Sequence, residues 1–423
     1  MGLFSRFRKS HSRTVAIGLD GASHGLVSEM MSDDRLPNLQ DLAMDGSFLR
    51  MTSSLPSISS VAWASLFTGK NPGEFGVFGF EERRGNSDQT FIPDRRNLRS
   101  PTIFSNLESK GHRYVSINVP MTYPPVAGEG SVMVSSFLSP SIDRAASSPE
   151  VLSRITEMGY ELDIPPEEMS ADSHMLFARL SEIYARRESA VLHFLRGVKW
   201  DLFFAVFTEN DRLSHFAFDE VGSKSSDVRS MYRMFDETIG RLRRDLSRDT
   251  NLVVFSDHGF CEAETELNLN RWLLEEGYLD LDEDGQRPVL SAMKPGSEAF
   301  ALDSGRIYTN RHEDEHEPIL DEISERLADL RKPSGNGNAI RRVWHNNEIY
   351  SGPYASMGPD LVVEPEIGVD IKTGTWAEGA FTSPRRPGMH LRDDAILLTS
   401  NKINESGQVH IQDVYGLMME PLE

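Results

Sequence analysis

Cysteine, lysine and long apolar runs are what this chain has least of. The single cysteine, Cys261, excludes an intrachain disulfide and any site built on several thiolates. No apolar run approaches the roughly 18 residues of a membrane-spanning helix, so no transmembrane segment is expected. Lysine is scarce, with 9 Lys against 35 Arg, and the 44 basic residues fall short of 65 acidic ones, which leaves a net charge of −21. A salt-rich cytoplasm favours that composition, and a GC-rich genome alone also favours Arg over Lys. Such a chain repels nucleic acid and anionic membranes at long range, so no nucleic-acid binding is expected. A phosphate-bearing partner would have to be held by a local positive centre, which bound metal ions would supply.

What is present is ordinary globular material. A hydrophobic share of 39% over 423 residues suffices for one large α/β domain with insertions, or for two domains. Residues 1–13 carry Arg6, Arg8, Lys9 and Arg13 beside Leu3, Phe4 and Phe7, without the apolar stretch of a secretory signal. They read as a flexible basic arm, with weak membrane-surface contact as the alternative. A cytoplasmic location is the expectation, and the oligomeric state is not legible.

Along residues 14–423, apolar runs alternate with helical spacing. Thr14–Leu19, Phe48–Ser53, Tyr114–Val119, Val132–Phe137, Asp201–Phe207 and Asn251–Phe255 read as strands. Further strands are expected at Ala299–Leu302, Arg306–Thr309, Asp360–Val363 and Ala395–Thr399. Helices are expected over Leu36–Gly46, Ser60–Thr68, Pro101–Gly111, Met175–Gly197 and Asp227–Leu246. Strand–helix alternation predicts a three-layer α/β/α sandwich on a mainly parallel sheet. A proline-broken, acidic stretch from about 140 to 175 reads as an inserted cap, with 279–299 as a second candidate segment.

Several of these strands end in residues able to bind a cation. Asp20 follows the first, Glu209, Asp211 and His215 follow the Asp201 strand, and Asp257 and His258 follow the Asn251 strand. His390 precedes the Ala395 strand. Ligands of open α/β sheets sit beyond the strands' carboxyl ends, so these residues can converge. Any one alone has a plainer reading, an Asp-Gly after a strand being ordinarily a turn. Asp211 and His215, four apart, share a face of a helical turn. Mixed carboxylate and imidazole donors suit zinc, with manganese or iron as alternatives.

Asp20-Gly21, Pro56–Trp63 (PSISSVAW) with Thr68-Gly69 and Pro72, Asp211/His215, Ser256-Asp257-His258-Gly259 and Gly388-Met389-His390 occur in a telling order. The set resembles the type I phosphodiesterase/nucleotide pyrophosphatase branch of the alkaline-phosphatase superfamily, and within it the prokaryotic phosphohydrolase or phosphomutase group. The likeness runs from about Thr14 to the C-terminus and takes in GRIYTN at 305–310, EIYSGP at 348–353 and PDLVV at 359–363. It implies two divalent metal ions, one on Asp211, His215 and His390 and one on Asp20, Asp257 and His258. It also implies Ser59 as a nucleophile bridging toward the metals, with Ser57 and Ser60 as neighbouring alternatives. The implied activity is hydrolysis of a phosphodiester, pyrophosphate or phosphomonoester through a phosphoserine, in a phosphate-containing small molecule. Transfer to an acceptor other than water, or binding without turnover, are the alternatives. The chain departs from its eukaryotic relatives at Ala62, where an asparagine would donate to a phosphoryl oxygen, and at Phe75, where histidine is common.

Other features have plainer readings. His312–His316 matches the HExxH zinc-protease pattern but is polar throughout and is followed by Pro318, which reads as a solvated loop. Cys261 lacks the C/S-x-P-x-R context of sulfatases. Trp63, Tyr350 and Trp376 either line a pocket or pack within the fold. Six further histidines, His24 among them, lack ligand spacing.

Overall fold

A computed structural model describes residues 13–422 apart from 86, 88, 170, 171, 283–287, 310–316, 376 and 404–406. The basic arm up to Ser12, the HExxH match and Trp376 lie outside the described residues.

Six-residue runs such as Leu202–Phe207 (LFFAVF) are buried at every position, as strands covered on both faces must be. They assemble an eight-stranded sheet in the order Val409–His410, Ser47–Thr52, Ala395–Thr399, Thr250–Phe255, Arg13–Leu19, Leu202–Phe207, Tyr114–Val119, Val132–Ser135. Every pairing is parallel except the two made by Ala395–Thr399, so that strand alone runs against the rest.

Alternation along the strands divides the core into two layers. Val15, Ile17, Phe203, Ala205, Phe207, Leu252 and Val254 pack with the helices Pro37–Asp45, Ser173–Gly197 and Asp227–Asp245. Ala16, Phe204, Val206, Val253 and Phe255 pack with Ser59–Thr68, Ile103–Ser109 and Asp413–Met419 on the other face. This is the expected three-layer sandwich. Gly18 sits where a Cβ would lie 2.3 Å from Trp63 Cη2. Trp63 is therefore wedged into the second layer against Phe204 and Phe255, which settles its role as packing.

The segment expected as a cap, 140–175, contributes Val151, Ile155, Tyr160 and Ile164 to the first core layer. A separate hydrophobic cluster spans Leu267 to Ile371 instead. It is built on a four-stranded sheet (Ala299–Leu302, Arg306–Thr309, Leu361–Pro365, Ile340–His345) and a three-stranded one (Val369–Lys372, Thr265–Asn268, Phe381–Thr382). Residues 279–299 belong to this accessory lobe, where Leu279, Leu290 and Ala299 are buried. Among the described residues no helix is long and apolar enough to cross a membrane.

Candidate metal centre

The three central strands, Thr250–Phe255, Arg13–Leu19 and Leu202–Phe207, are immediate neighbours, and each ends in candidate ligands. Asp20 follows Leu19 and is anchored by its own N–H on the Phe207 carbonyl at 2.9 Å. Asp257 Oδ1 accepts from the N–H of Gly21 at 3.2 Å and of His258 at 3.1 Å. Gly21 turns the chain with φ +69, where a Cβ would lie 2.6 Å from the Phe260 ring. A bulkier residue is excluded twice there, by backbone conformation and by space.

Asp211 and His215 lie one turn apart on the helix Glu209–Ala217. His390 arrives from the other direction: its strand, Gly388–Leu391, pairs antiparallel with Gly259–Glu262, placing His390 opposite Phe260. That hairpin-like ladder brings a ligand from the end of the chain beside His258, and the two imidazoles stack at 3.6 Å between centroids.

Two ligand groups result, Asp211/His215/His390 and Asp20/Asp257/His258, the donor atoms of each lying within 4.8 Å of one another. All six residues expected to hold metals are thus brought together. Glu209, the other carboxylate of that segment, is not: it pairs with Arg187 at 2.6 Å, away from the cluster.

The donor set fits divalent cations on an independent ground. Each imidazole directs Nδ1 at a backbone carbonyl, His215 to Gly388 at 3.1 Å, His258 to Gly259 at 3.0 Å and His390 to Ser57 at 2.9 Å. A carbonyl only accepts, so Nδ1 carries the proton and Nε2 presents a lone pair to the centre. This outer hydrogen bond is the usual device for orienting a metal-bound histidine. Asp20 Oδ1, Asp211 Oδ1, Asp257 Oδ2 and His258 Nε2 are buried without hydrogen-bond partners. Buried acceptors left in that state are costly, and a cation would satisfy all four.

Electrostatics agree. Burial, then the neighbouring Asp257 and Asp211, raise the Asp20 carboxyl well above its usual range. Burial lowers His215 to about 3 and also lowers His258. Burial works against a charge on His390 as well, but the Asp211 carboxylate outweighs it and raises that imidazole. Three carboxylates crowd a small space where positive charge is needed.

Ser59 is buried at the first turn of the helix Ser59–Thr68, which no side chain caps. An uncapped helix N-terminus offers free N–H groups to an anion. Ala62 and Phe75 are both fully buried in the apolar layer behind it, so neither position supplies a donor. A cavity of about 160 Å³ is lined by Ser57, His215 and His390 of the cluster and by Arg341, Glu364 and Arg392, so it borders both the cluster and the accessory lobe. Tyr350 is buried, its hydroxyl donating to the Leu55 carbonyl at 3.0 Å. Burial pushes the Cys261 thiol up to about 11, which disqualifies it as a nucleophile near neutrality.

Sequence reasoning missed the parts that aim the ligands. Gly388 lies where a Cβ would come 2.0 Å from the Ser214 carbonyl, and Arg212 donates to Asp211 Oδ2 at 2.9 Å. Glycines flanking His258 and His390 were the available signal.

The profile of the family described as type I phosphodiesterase / nucleotide pyrophosphatase matches residues 14–391. No curated protein matches in sequence. The fold is similar to phosphonoacetate hydrolase from Sinorhizobium meliloti 1021, solved with phosphonoformate, at 16% identity and a TM-score of 0.69 over 99% of this chain and 98% of that one. It is also similar to human ectonucleotide pyrophosphatase / phosphodiesterase 5, at 14% identity and a TM-score of 0.59 over 97% and 94%. The wild-type alkaline phosphatase PafA aligns at 12% identity with a TM-score of 0.61 over 98% and 96%. The chain belongs to the type I phosphodiesterase / nucleotide pyrophosphatase family.

Proposed function

We propose that the protein is a metal-dependent phosphohydrolase that uses two divalent cations and Ser59 to cleave a phosphodiester, pyrophosphate or phosphomonoester. The observation that carries this reading is the pair of ligand groups, four of whose inward-facing atoms are buried without a hydrogen-bond partner. Family membership supports it, as does a fold shared with a hydrolase solved with phosphonoformate and with a murine nucleotide pyrophosphatase/phosphodiesterase solved with AMP.

Asp211, His215 and His390 would hold one cation, and Asp20, Asp257 and His258 the other. Zinc suits this mixture of imidazole and carboxylate donors, with manganese and iron as the alternatives. Cations held there would supply positive charge against both the entering and the leaving oxygen of an in-line displacement. Ser59 supplies the attacking hydroxyl, aided by its place at a helix N-terminus, and becomes phosphorylated before water releases the phosphate. The three histidine Nδ1 bonds hold the rings in one tautomer throughout. A phosphate-containing small molecule is the expected substrate, its leaving group lying in the cavity toward Arg341 and Arg392.

The test is a screen of metal-reconstituted protein against bis-p-nitrophenyl phosphate, p-nitrophenyl phosphate and nucleotides. Ser59→Ala should abolish turnover while metal content stays near that of the parent. Undiminished turnover in Ser59→Ala would reassign the nucleophile, with Ser57 and Ser60 next in line.

A further inference from the structure

Asp211 is held differently from Asp257, a carboxylate of the neighbouring ligand group. Asp257 fixes one oxygen on backbone N–H groups, whereas Asp211 fixes Oδ2 on a side chain, the Arg212 guanidinium, at 2.9 Å. That guanidinium is itself not free. Its Nε and Nη2 donate to both oxygens of Asp163, at 3.2, 3.0 and 2.7 Å, and its plane packs against the Phe137 ring at 4.7 Å. A fork engaged by a carboxylate on one side has a single orientation on the other.

Asp163 is in turn placed by a second, buried arginine. Arg187, on the helix Ser173–Gly197, donates to Glu209 at 2.6 Å, to the Tyr160 hydroxyl at 2.6 Å and to the Leu162 carbonyl at 3.2 Å. Glu209 opens the same helix that carries Asp211 and His215. Residues 160–163 are therefore pinned to the ligand helix at both its first residue and its first ligand. The register between the two segments leaves Asp163 facing Arg212, and its Oδ1 also accepts from the Ile164 N–H at 2.9 Å.

The consequence falls on Asp211 Oδ1. With Oδ2 occupied, Oδ1 is the only oxygen left to face the centre. It lies 3.3 Å from His390 Nε2, 3.6 Å from His215 Nε2 and 3.9 Å from His258 Nε2, between the two ligand groups. We propose that Asp163 is a positioning residue that, through Arg212, locks Asp211 to present one oxygen to the cations. The inference rests on the metal-dependent reading above. Without Asp163, Arg212 keeps its charge but gains freedom, and Asp211 can rotate to offer the wrong oxygen. An ion pair that merely tacked down residues 160–168 would have no cause to share its arginine with a ligand.

The test uses the full chain, stripped of metal and reloaded with cobalt(II) or zinc, comparing Asp163→Asn, Asp163→Glu and Glu161→Gln. Glu161 pairs with Arg179 and Arg186 from the same segment, so its variant removes comparable ion pairs that do not reach Arg212. Asp163→Asn is expected to weaken binding of at least one cation by roughly 10–100-fold and to alter the visible spectrum of the cobalt form. Asp163→Glu, which keeps the charge and both acceptors, is expected to recover most of the affinity. Glu161→Gln is expected to lower the melting temperature while leaving affinity and spectrum as in the parent. Parent-like affinity and spectrum in Asp163→Asn would overturn the proposal, and so would an equal loss in Glu161→Gln. Failure of the parent itself to bind two cations would show before any variant is compared, and would overturn the metal-dependent reading along with this one.

Discussion

His215 Nε2 and His390 Nε2 face each other at 3.2 Å. Both rings give their Nδ1 proton to a carbonyl, so two lone pairs meet unless something positive lies between them. Either a proton or a cation resolves the contact, and Asp211 Oδ1 beside both makes the cation the fuller solution.

His390→Ala should accordingly remove one cation and leave the Asp20/Asp257/His258 group loaded. Metal content per chain, measured by mass spectrometry after dialysis, is expected to fall from two ions toward one. Turnover should drop by several orders of magnitude, since the proposed mechanism has both cations act on the same displacement. Retention of two ions would remove His390 from the ligand set.

Chelation should also lower thermal stability. A ligand present at 1,000 times its dissociation constant stabilises the native state by about 4 kcal/mol. The melting temperature should therefore fall on adding a strong chelator and recover on readdition of zinc. An unchanged melting temperature would mean that the buried acceptors are satisfied some other way.

Gly388→Ala tests how closely the His390 strand must approach the ligand helix. A Cβ there would meet the Ser214 carbonyl at 2.0 Å, a clash with backbone that side-chain rotation cannot relieve. Destabilisation of about 1–3 kcal/mol is expected from the overpacking alone. Activity should fall further than stability explains, because His390 moves with the strand. Chemical denaturation and kcat measured on the folded fraction separate the two effects.

His24 gives the fold a pH dependence away from the centre. It stacks on Phe48 at 4.4 Å, and burial, reinforced by Arg50, lowers its pKa to about 4. The unfolded chain takes up this proton near 6.5 and the folded chain only near 4, so stability is lost as pH falls through that window. His24→Phe should be less sensitive to acid between pH 6.5 and 4 than the parent. Parallel stability–pH curves for the two proteins would contradict this.

Much of the framework could be read from sequence because the central strands are buried on both faces. Thr14–Leu19 and Leu202–Phe207 are largely apolar runs; the turn after the first holds Asp20, and the helix after the second holds Asp211 and His215. The accessory lobe was legible only in part, at Ala299–Leu302, Arg306–Thr309 and Asp360–Val363, for the opposite reason. Its strands run from two residues, as in Phe381–Thr382, to six in Ile340–His345, too short or too mixed for a period to declare itself. The prolines at 149, 165 and 166 suggested a cap, yet Val151, Ile155, Tyr160 and Ile164 pack into the first core layer. His390 could be assigned to the Asp211 group only by resemblance, since its strand depends on a partner more than a hundred residues away. Arg212 and Asp163 had no signal at all, because an ion pair between distant segments leaves no pattern in either.

The pairing of Gly388–Leu391 with Gly259–Glu262 also sets the order of events during synthesis. Asp20 is translated before the other five candidate ligands and His390 after them all. The group formed with Asp211 and His215 therefore lacks its third member until the strand Gly388–Leu391 has emerged, so it can complete a folded core but cannot guide an emerging one.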